Sequence, residues 1–310
     1  MLARSLLLKA LSTRSFTTVT AAMVKQLRDL TGAPMMDCKK ALQHEGVDGN
    51  LEKAVEVLRK QGMKRVNKVS SRTTTQGVIA SVVTEKRGVM VELSCETDFV
   101  ARNEVFQKVA SDISKVVFDT GLTNVADIEK QILPSGLSVD DSLKEVIAKL
   151  GENILLRRSC CVEPATSSSI LCSYQHNSVG PNMSQIATLV SFSIKGDSSK
   201  VDRDALHKIG MHIAAANPLY LTRDEIPGDV LEREKSVIMD SVKKLNKPEK
   251  IMNRMIEGKM GEFYKQSVLM DQLYILDEKQ GSIAKMLQKL GKETNCILGI
   301  EKFVRMQVGK

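Results

Sequence analysis

One order of elements occurs twice in this chain of 310 residues and constrains its fold most: two β-rich runs followed by an amphipathic helix. The first copy consists of GVIASVVTE, GVMVELSCE and a helical stripe formed by Phe106, Val109, Ile113 and Val117. The second consists of ILCSYQH, QIATLVSFSIKG and DALHKIGMHIAAAN. ENILLRRSCCVE is predicted to return as the third strand of the first layer, and CILGIEKFVRMQV is predicted as a strand at the end of the chain. Strands grouped in this way predict an α+β fold with two layers of antiparallel sheet.

Helices are predicted on either side of these strands. Residues 23–68 form three short helices that end near Gly32, Gly46 and Gly62, and residues 125–150 are also predicted to be helical. Residues 227–264 form a helical hairpin interrupted at Pro248. The residues predicted to be buried in the first three helices are Val24, Leu27, Leu30, Met36, Ala41, Leu42, Leu51, Val55 and Leu58.

The first 22 residues have the composition of a mitochondrial transit peptide. They carry Arg4, Lys9 and Arg14 among many Ser and Thr residues, and no acidic residue precedes Asp29. The alternative is a disordered basic tail. The predicted organisation is therefore a transit peptide at 1–22, a three-helix domain at 23–68, one α+β subdomain at 69–164 and another at 165–310, which contains the hairpin.

Charge, hydropathy and cysteine usage argue against several classes of protein. Removing three positive charges with the leader lowers the formal net charge from +8 to +5, and the remaining charges alternate in sign along the helices. Basic residues interleaved with aromatic ones, as in nucleic-acid binders, are not found. No run of eighteen apolar residues occurs, so no segment is predicted to span a membrane. The six cysteines lack zinc-site or disulfide spacing and are expected to be reduced thiols.

Motifs for covalent chemistry are also missing from the sequence. GxGxxG, GxxxxGK[ST], HExxH and EF-hand patterns do not occur. His207 and His212 share a helix, but their spacing of five places them on opposed faces, which does not suit a metal pair. No cofactor or metal is therefore expected, and no motif supports an enzyme.

The segment ELSCETDFVARNEVF, residues 92–106, joins a predicted strand to a predicted helix. Thr97 or Asp98 is a suitable N-cap. Phe99 precedes Phe106 by seven residues, so periodicity alone places Phe99 on the buried stripe of that helix.

The same segment carries a family resemblance. ETDFVARN resembles the signature of the elongation factor Ts family, and LRDLTGAPMMDCKKAL at 27–42 resembles that family's amino-terminal signature. Similarity continues at 211–227 and 246–277 and covers about 23–310. The resemblance implies a three-helix domain of the ubiquitin-associated type, followed by the α+β core.

The resemblance also implies function. It implies a guanine nucleotide exchange factor that breaks no covalent bond, with mitochondrial elongation factor Tu as the partner in the matrix. An Asp-Phe pair of the family enters that partner beside its magnesium site, which assigns partner binding to Thr97, Asp98, Phe99 and Val100. The residues that it suggests for docking are Arg28, Met35, Met36, Lys39 and His176. No direct binding of nucleotide, nucleic acid or membrane is expected.

Two departures from the family pattern are visible. Pro34 stands where the family usually has Gly or Ser, although Pro suits the first turn of a helix. The carboxy-terminal helical module of many bacterial members is not expected after Lys310.

Three other functions stay open at this point. An isoelectric point of 9.1 and the α+β repeats allow an RNA-associated matrix protein, whose binding would weaken steeply with salt. A small-molecule enzyme would use a cleft between the two layers. A pure ubiquitin-associated interaction module would leave some 240 residues unexplained.

Overall fold

The computed structural model describes residues 19–243, 245 and 248–310 and confirms the α+β class. Residues 1–18, most of the predicted transit peptide, lie outside the described residues. The chain divides into two compact units. Of the described residues, unit 1 contains those from 19 to Ser71 together with Lys144–Glu152, and unit 2 contains those of Arg72–Leu143 and Asn153–Lys310.

Between residues 19 and 71, unit 1 contains the helices α1 (Ala21–Thr31), α2 (Met35–Leu42) and α3 (Leu51–Val69). Thr20 caps α1 by accepting the N–H of Met23 at 3.3 Å, and Asn50 caps α3 in the same way. The buried core of these helices consists of Val24, Leu27, Cys38, Ala41, Leu42, Val47 and Ala54.

Three of the predicted core positions in unit 1 are wrong. Leu30, Met36 and Val55 are exposed. Leu30 lies in the last turn of α1, just before Gly32 ends the helix with a φ of 68°. Met36 lies in the first turn of an eight-residue helix whose buried face is formed by Cys38, Ala41 and Leu42. The buried face of α3 is instead centred on Ala54.

Unit 2 is built on six described strands that form one antiparallel sheet. They are β1 (Gln76–Val83), β2 (Gly88–Cys95), β3 (Leu155–Val162), β4 (Ile170–Gly180), β5 (Met183–Lys195) and β6 (Ile297–Gln307). The order is β3-β2-β1-β5-β4, and β6 pairs with β5.

The two predicted layers are therefore two halves of a single sheet. The thirteen-residue β5 pairs with β6 from Ile186 to Lys195, and its first two residues, Met183 and Ser184, pair with β1. β6 pairs with only part of β5, so the first residues of β5 remain available to bond β1, which belongs to the other half of the sheet.

Helices pack against this sheet. They are α4 (Asp98–Ala101), α5 (Glu104–Thr120), α6 (Val125–Ile128), α8 (Arg203–Ala216) and α11 (Ile283–Thr294). A further helix, α7 (Val139–Leu150), begins in residues of unit 2 and ends in residues of unit 1. The predicted stripe of α5 is buried throughout. The prediction of continuous helix over 125–150 is wrong, because a turn containing Pro134 separates α6 from α7, and Ile132 and Ser138 form a β-bridge there.

The helical hairpin consists of α9 (Gly228–Lys243) and α10 (Glu249–Ser267). Ile238, Val242 and Met260 form its buried core, and the partly buried Met252 and Phe263 extend that core. Over the described ranges, no helix combines the length and the apolar composition needed to cross a membrane.

His212 lies buried on α8 and holds the chain that comes after the hairpin. Its Nδ1 accepts the N–H of Ile275 at 3.3 Å, so its Nε2 carries the proton and donates to Oε1 of Gln272 at 3.0 Å. The Nε2 of Gln272 donates in turn to the carbonyl of Gln266 at 2.7 Å. Burial lowers the pKa of His212, so the neutral ring is the form that this network accommodates.

We expect the folded state to lose stability in mild acid through His212. Its pKa in the folded state lies below the ordinary 6.5, so the unfolded chain binds the proton first as the pH falls. The free energy of unfolding should therefore decrease as the pH falls below 6.5, because only the unfolded chain gains this proton until the lower folded-state pKa is reached. Denaturant unfolding of the wild type and His212→Gln at pH 7.5 and 5.5 measures it.

The wild type should lose part of its stability advantage over His212→Gln at the lower pH. His44→Gln is the control, because His44 is exposed. An advantage of His212 that is constant across this range would contradict the expectation.

Candidate functional site

Residues 97–101, called here the Phe99 turn, connect the end of β2 to the start of α5. Asp98–Ala101 form the single helical turn α4, and Oγ1 of Thr97 accepts the N–H of Val100 at 3.4 Å. Asn103 then caps α5, accepting the N–H of Val105 at 2.9 Å. The segment therefore contains two capped helices in succession.

This break changes the position of Phe99. Its side chain is 82% exposed, whereas Phe106 on α5 is completely buried. The pattern-based prediction that both lie in the core is wrong, because a spacing of seven keeps two residues on one face only within a continuous helix. Val100 and Ala101 are buried and anchor the turn. Phe99, with Asp98 beside it, is presented to solvent.

A polar network supports the turn from the side of the sheet. The carboxylate of Glu96 accepts the N–H of Asn153 at 2.7 Å and an N–H of Arg72 at 3.3 Å. The side-chain amide of Asn153 donates to the carbonyl of Arg72 at 2.8 Å. The sequence gives no indication of this network, because Asn153 lies 57 residues after Glu96.

His176 lies exposed on β4, opposite Ile186 of β5. Its Nδ1 is 3.1 Å from the hydroxyl of Tyr174, and the ring of Tyr174 meets His207 edge-on at 5.4 Å. The structure places His176 and the Phe99 turn in unit 2.

The other predicted docking residues belong to unit 1. Arg28 and Lys39 are exposed, and Met35 and Met36 are 41% and 61% exposed. Leu30, at 67% exposed, adds an apolar residue that helical periodicity assigns to the core. Pro34 is the N-cap of α2, and its carbonyl accepts the N–H groups of Asp37 and Cys38.

Four of the six cysteine thiols, those of Cys38, Cys160, Cys161 and Cys172, have a pKa raised by burial. None of the six cysteines forms a disulfide bond in the structure. Burial raises the pKa of the Cys160 and Cys172 thiols to about 11 each, so both are protonated at neutral pH. Within residues 19–243, 245 and 248–310, no three His, Cys, Asp or Glu side chains converge as metal ligands would.

Two surface cavities of about 540 and 600 Å³ lie elsewhere in unit 2, one beside α8 and α11 and the other beside Ser167–Ser169. Neither is lined by residues of the Phe99 turn or by His176. The candidate site is an exposed turn on buried anchor residues, an arrangement that suits contact with a protein.

The comparisons with known proteins all point to the same protein family. The family model described as Elongation factor TS matches residues 96–310. A relative named Elongation factor Ts from Rhodospirillum rubrum is 36% identical over 294 residues, covering 94% of this chain and 93% of the relative. Proteins of the same name from Agrobacterium fabrum and Clostridium botulinum are 35% and 38% identical, covering 95% and 94% of this chain and 94% and 93% of their own lengths.

The exposure of Phe99 gives a stability prediction that is independent of function. Phe99→Ala should change the free energy of unfolding by less than about 0.5 kcal/mol, because it removes few internal contacts. Phe106→Ala should cost about 3–5 kcal/mol, because it leaves a cavity beneath α5. Denaturant unfolding of both variants measures the difference, and a large loss with Phe99→Ala would contradict the exposed position.

Proposed function

Because the chain belongs to the elongation factor Ts family, we propose that it binds the GDP form of elongation factor Tu and promotes exchange of GDP for GTP. Its role in translation elongation is that of the family. The observation that supports the finer proposal is the Phe99 turn: an almost fully exposed aromatic side chain on buried anchors, inside the segment that resembles the family signature.

The proposed action needs no covalent chemistry by this chain. A factor that binds the nucleotide-free partner more tightly than the GDP form must, by linkage, weaken the binding of GDP. A thousandfold faster release requires the barrier to fall by about 4 kcal/mol. Burial of one Phe side chain against the partner supplies about 1.5–3 kcal/mol of this.

Two residues carry out this action, and each has its own role. Phe99 enters between partner side chains near the bound magnesium, and the exposed carboxylate of Asp98 disturbs the coordination of that ion. Thr97 and Val100 hold the turn, Thr97 by capping α4 and Val100 by burial. Both partner-facing groups lie on the same helical turn, so one docking event delivers both.

Docking is assigned to unit 1 and to β4. The exposed Met35 and Met36 offer adaptable apolar contact, Arg28 and Lys39 offer positive charge, and His176 offers a further contact from β4. The apolar pair is supported most directly, because two adjacent methionines are exposed at the start of α2.

Release of a fluorescent GDP from mitochondrial elongation factor Tu tests the proposal. We expect rapid release with the wild-type chain, and release slowed roughly 10- to 150-fold by Phe99→Ala, which is the burial energy of one Phe expressed as a rate. Ile132→Ala is the matched control, since Ile132 is an exposed apolar residue of unit 2 outside the turn and should leave the rate unchanged.

Failure of the wild-type chain to accelerate release would reject the exchange function and leave RNA binding as the alternative to test. If the Phe99→Ala variant accelerates release as well as the wild type does, the exchange function stands but the role of Phe99 in it is rejected.

The mitochondrial matrix is proposed from residues 1–22 alone. A fluorescent reporter carrying these residues should become protected from protease when incubated with energised mitochondria. Replacing Arg4, Lys9 and Arg14 by Glu should abolish this protection, because import responds to the positive charge of the leader. Equal protection with the Glu variant would contradict the assignment.

A further inference from the structure

The end of α4 contains a carbonyl group that the helix itself does not satisfy. Ala101 is the last residue of the four-residue helix, and the N–H of Val105, which would continue the ladder, bonds to Asn103 instead. The carbonyl of Ala101 accepts the side-chain amide of Gln107 at 3.2 Å. Gln107 thus closes the carboxyl end of the Phe99 turn.

The same nitrogen makes a second bond. Nε2 of Gln107 also donates to the carbonyl of Val179 at 3.2 Å, near the end of β4. A side-chain amide nitrogen has two hydrogens, so these two bonds use both. Gly180 makes room for this arrangement, because a Cβ atom there would lie 2.8 Å from Oε1 of Gln107.

The end of β4 is a firm attachment point. The N–H of Ser81 on β1 donates to the carbonyl of Asn182 at 2.9 Å, and Gln175 on β4 donates to the hydroxyl of Ser81 at 2.6 Å. The turn between β4 and β5 is therefore bonded to the other half of the sheet. Through Gln107, the Phe99 turn is held by both halves.

We propose that Gln107 is the positioning residue of the Phe99 turn, fixing the direction in which Phe99 is presented to elongation factor Tu. This inference rests on the proposed function, in which Phe99 enters the partner. Gln107 acts through the turn and does not contact the partner. A turn released at its carboxyl end would have to be ordered on binding, which is expected to slow nucleotide release about 3- to 10-fold.

The test uses the full chain and Gln107→Glu. Glutamate has the same shape, but its ionised carboxylate accepts hydrogen bonds and cannot donate to two carbonyl groups. Gln131→Glu is the matched control, because Gln131 also donates to a backbone carbonyl, that of Asp127, at 3.2 Å. Gly180→Ala is a second route to the same disturbance, since its methyl group crowds the amide of Gln107.

The first readout is hydrogen exchange of the backbone N–H groups of Ala101 and Arg102, which bond within the turn. We expect at least about fivefold faster exchange in Gln107→Glu and in Gly180→Ala, and no change in Gln131→Glu. Unchanged exchange in both test variants would overturn the inference, whatever the activity of the chain.

The second readout is GDP release in a double-mutant cycle with Phe99→Ala. If Gln107 acts through Phe99, Gln107→Glu slows release in the wild-type background and has no further effect in Phe99→Ala. An equal loss in both backgrounds would show general damage and overturn the positioning role. If Phe99→Ala itself leaves release unchanged, the action of Phe99 in the proposed function fails and the role of Gln107 in release fails with it, a result recognisable without any Gln107 variant.

Discussion

The sheet of unit 2 depends on the hydrogen bonds made by the carboxylate of Glu92, which is completely buried in β2. Oε2 of Glu92 accepts a hydrogen bond from Arg158 of β3 at 2.6 Å, and its Oε1 accepts the N–H of Gly309 at 2.9 Å. Arg158 also donates to the carbonyl of Gln307 at 3.0 Å. An unpaired buried carboxylate would cost several kcal/mol. The requirement to satisfy Glu92 therefore holds β2, β3 and the end of β6 together.

This constraint fixes the point at which the chain leaves β2. Only two residues separate the end of β2 at Cys95 from Asp98, the first residue of α4. Glu96, one of those two, is itself bonded to Asn153 just before β3. The Phe99 turn thus begins at a fixed point of the sheet, and Val100 and Ala101 are buried beneath it. The result is an exposed apolar side chain on a backbone turn whose next two residues are buried, which is an arrangement suited to a contact residue.

The elements of the fold were largely predictable from the sequence, but their assembly was not. The β-rich runs and the stripe on α5 depend on local pattern, and both are observed as strands and as a buried helical face. The pairing of Met183 and Ser184 with β1 depends on the length of β5 relative to β6, which no local window contains. Glu92 is the charged residue of a strand that is buried throughout, and its burial becomes understandable only once Arg158, 66 residues later, is placed beside it.

The candidate site divides in the same way. The resemblance to a family signature predicts that Phe99 contacts a partner, whereas periodicity alone places that residue in the core. The pattern failed at Arg102 and Asn103, where α4 ends and the cap of α5 begins, so the helical phase is lost between Phe99 and Phe106. Gln107 carried no indication of a special role, because a polar residue on a helix is ordinarily solvated. Its two acceptors, Ala101 and Val179, are brought together only by the folded sheet.

Under the proposed function, the two groups of contact residues contribute differently to nucleotide release. Contacts that are equally strong with the GDP form and the nucleotide-free form of the partner raise affinity but do not shift the equilibrium between those forms. The exposed methionines of unit 1 can contact both forms equally without slowing exchange, since their role is to hold the factor on its partner. Phe99 must discriminate, so the same side chain has to fit only after the nucleotide site is disturbed. Discrimination of this kind depends on a fixed direction of approach, because a mobile Phe would find apolar contact in either form of the partner.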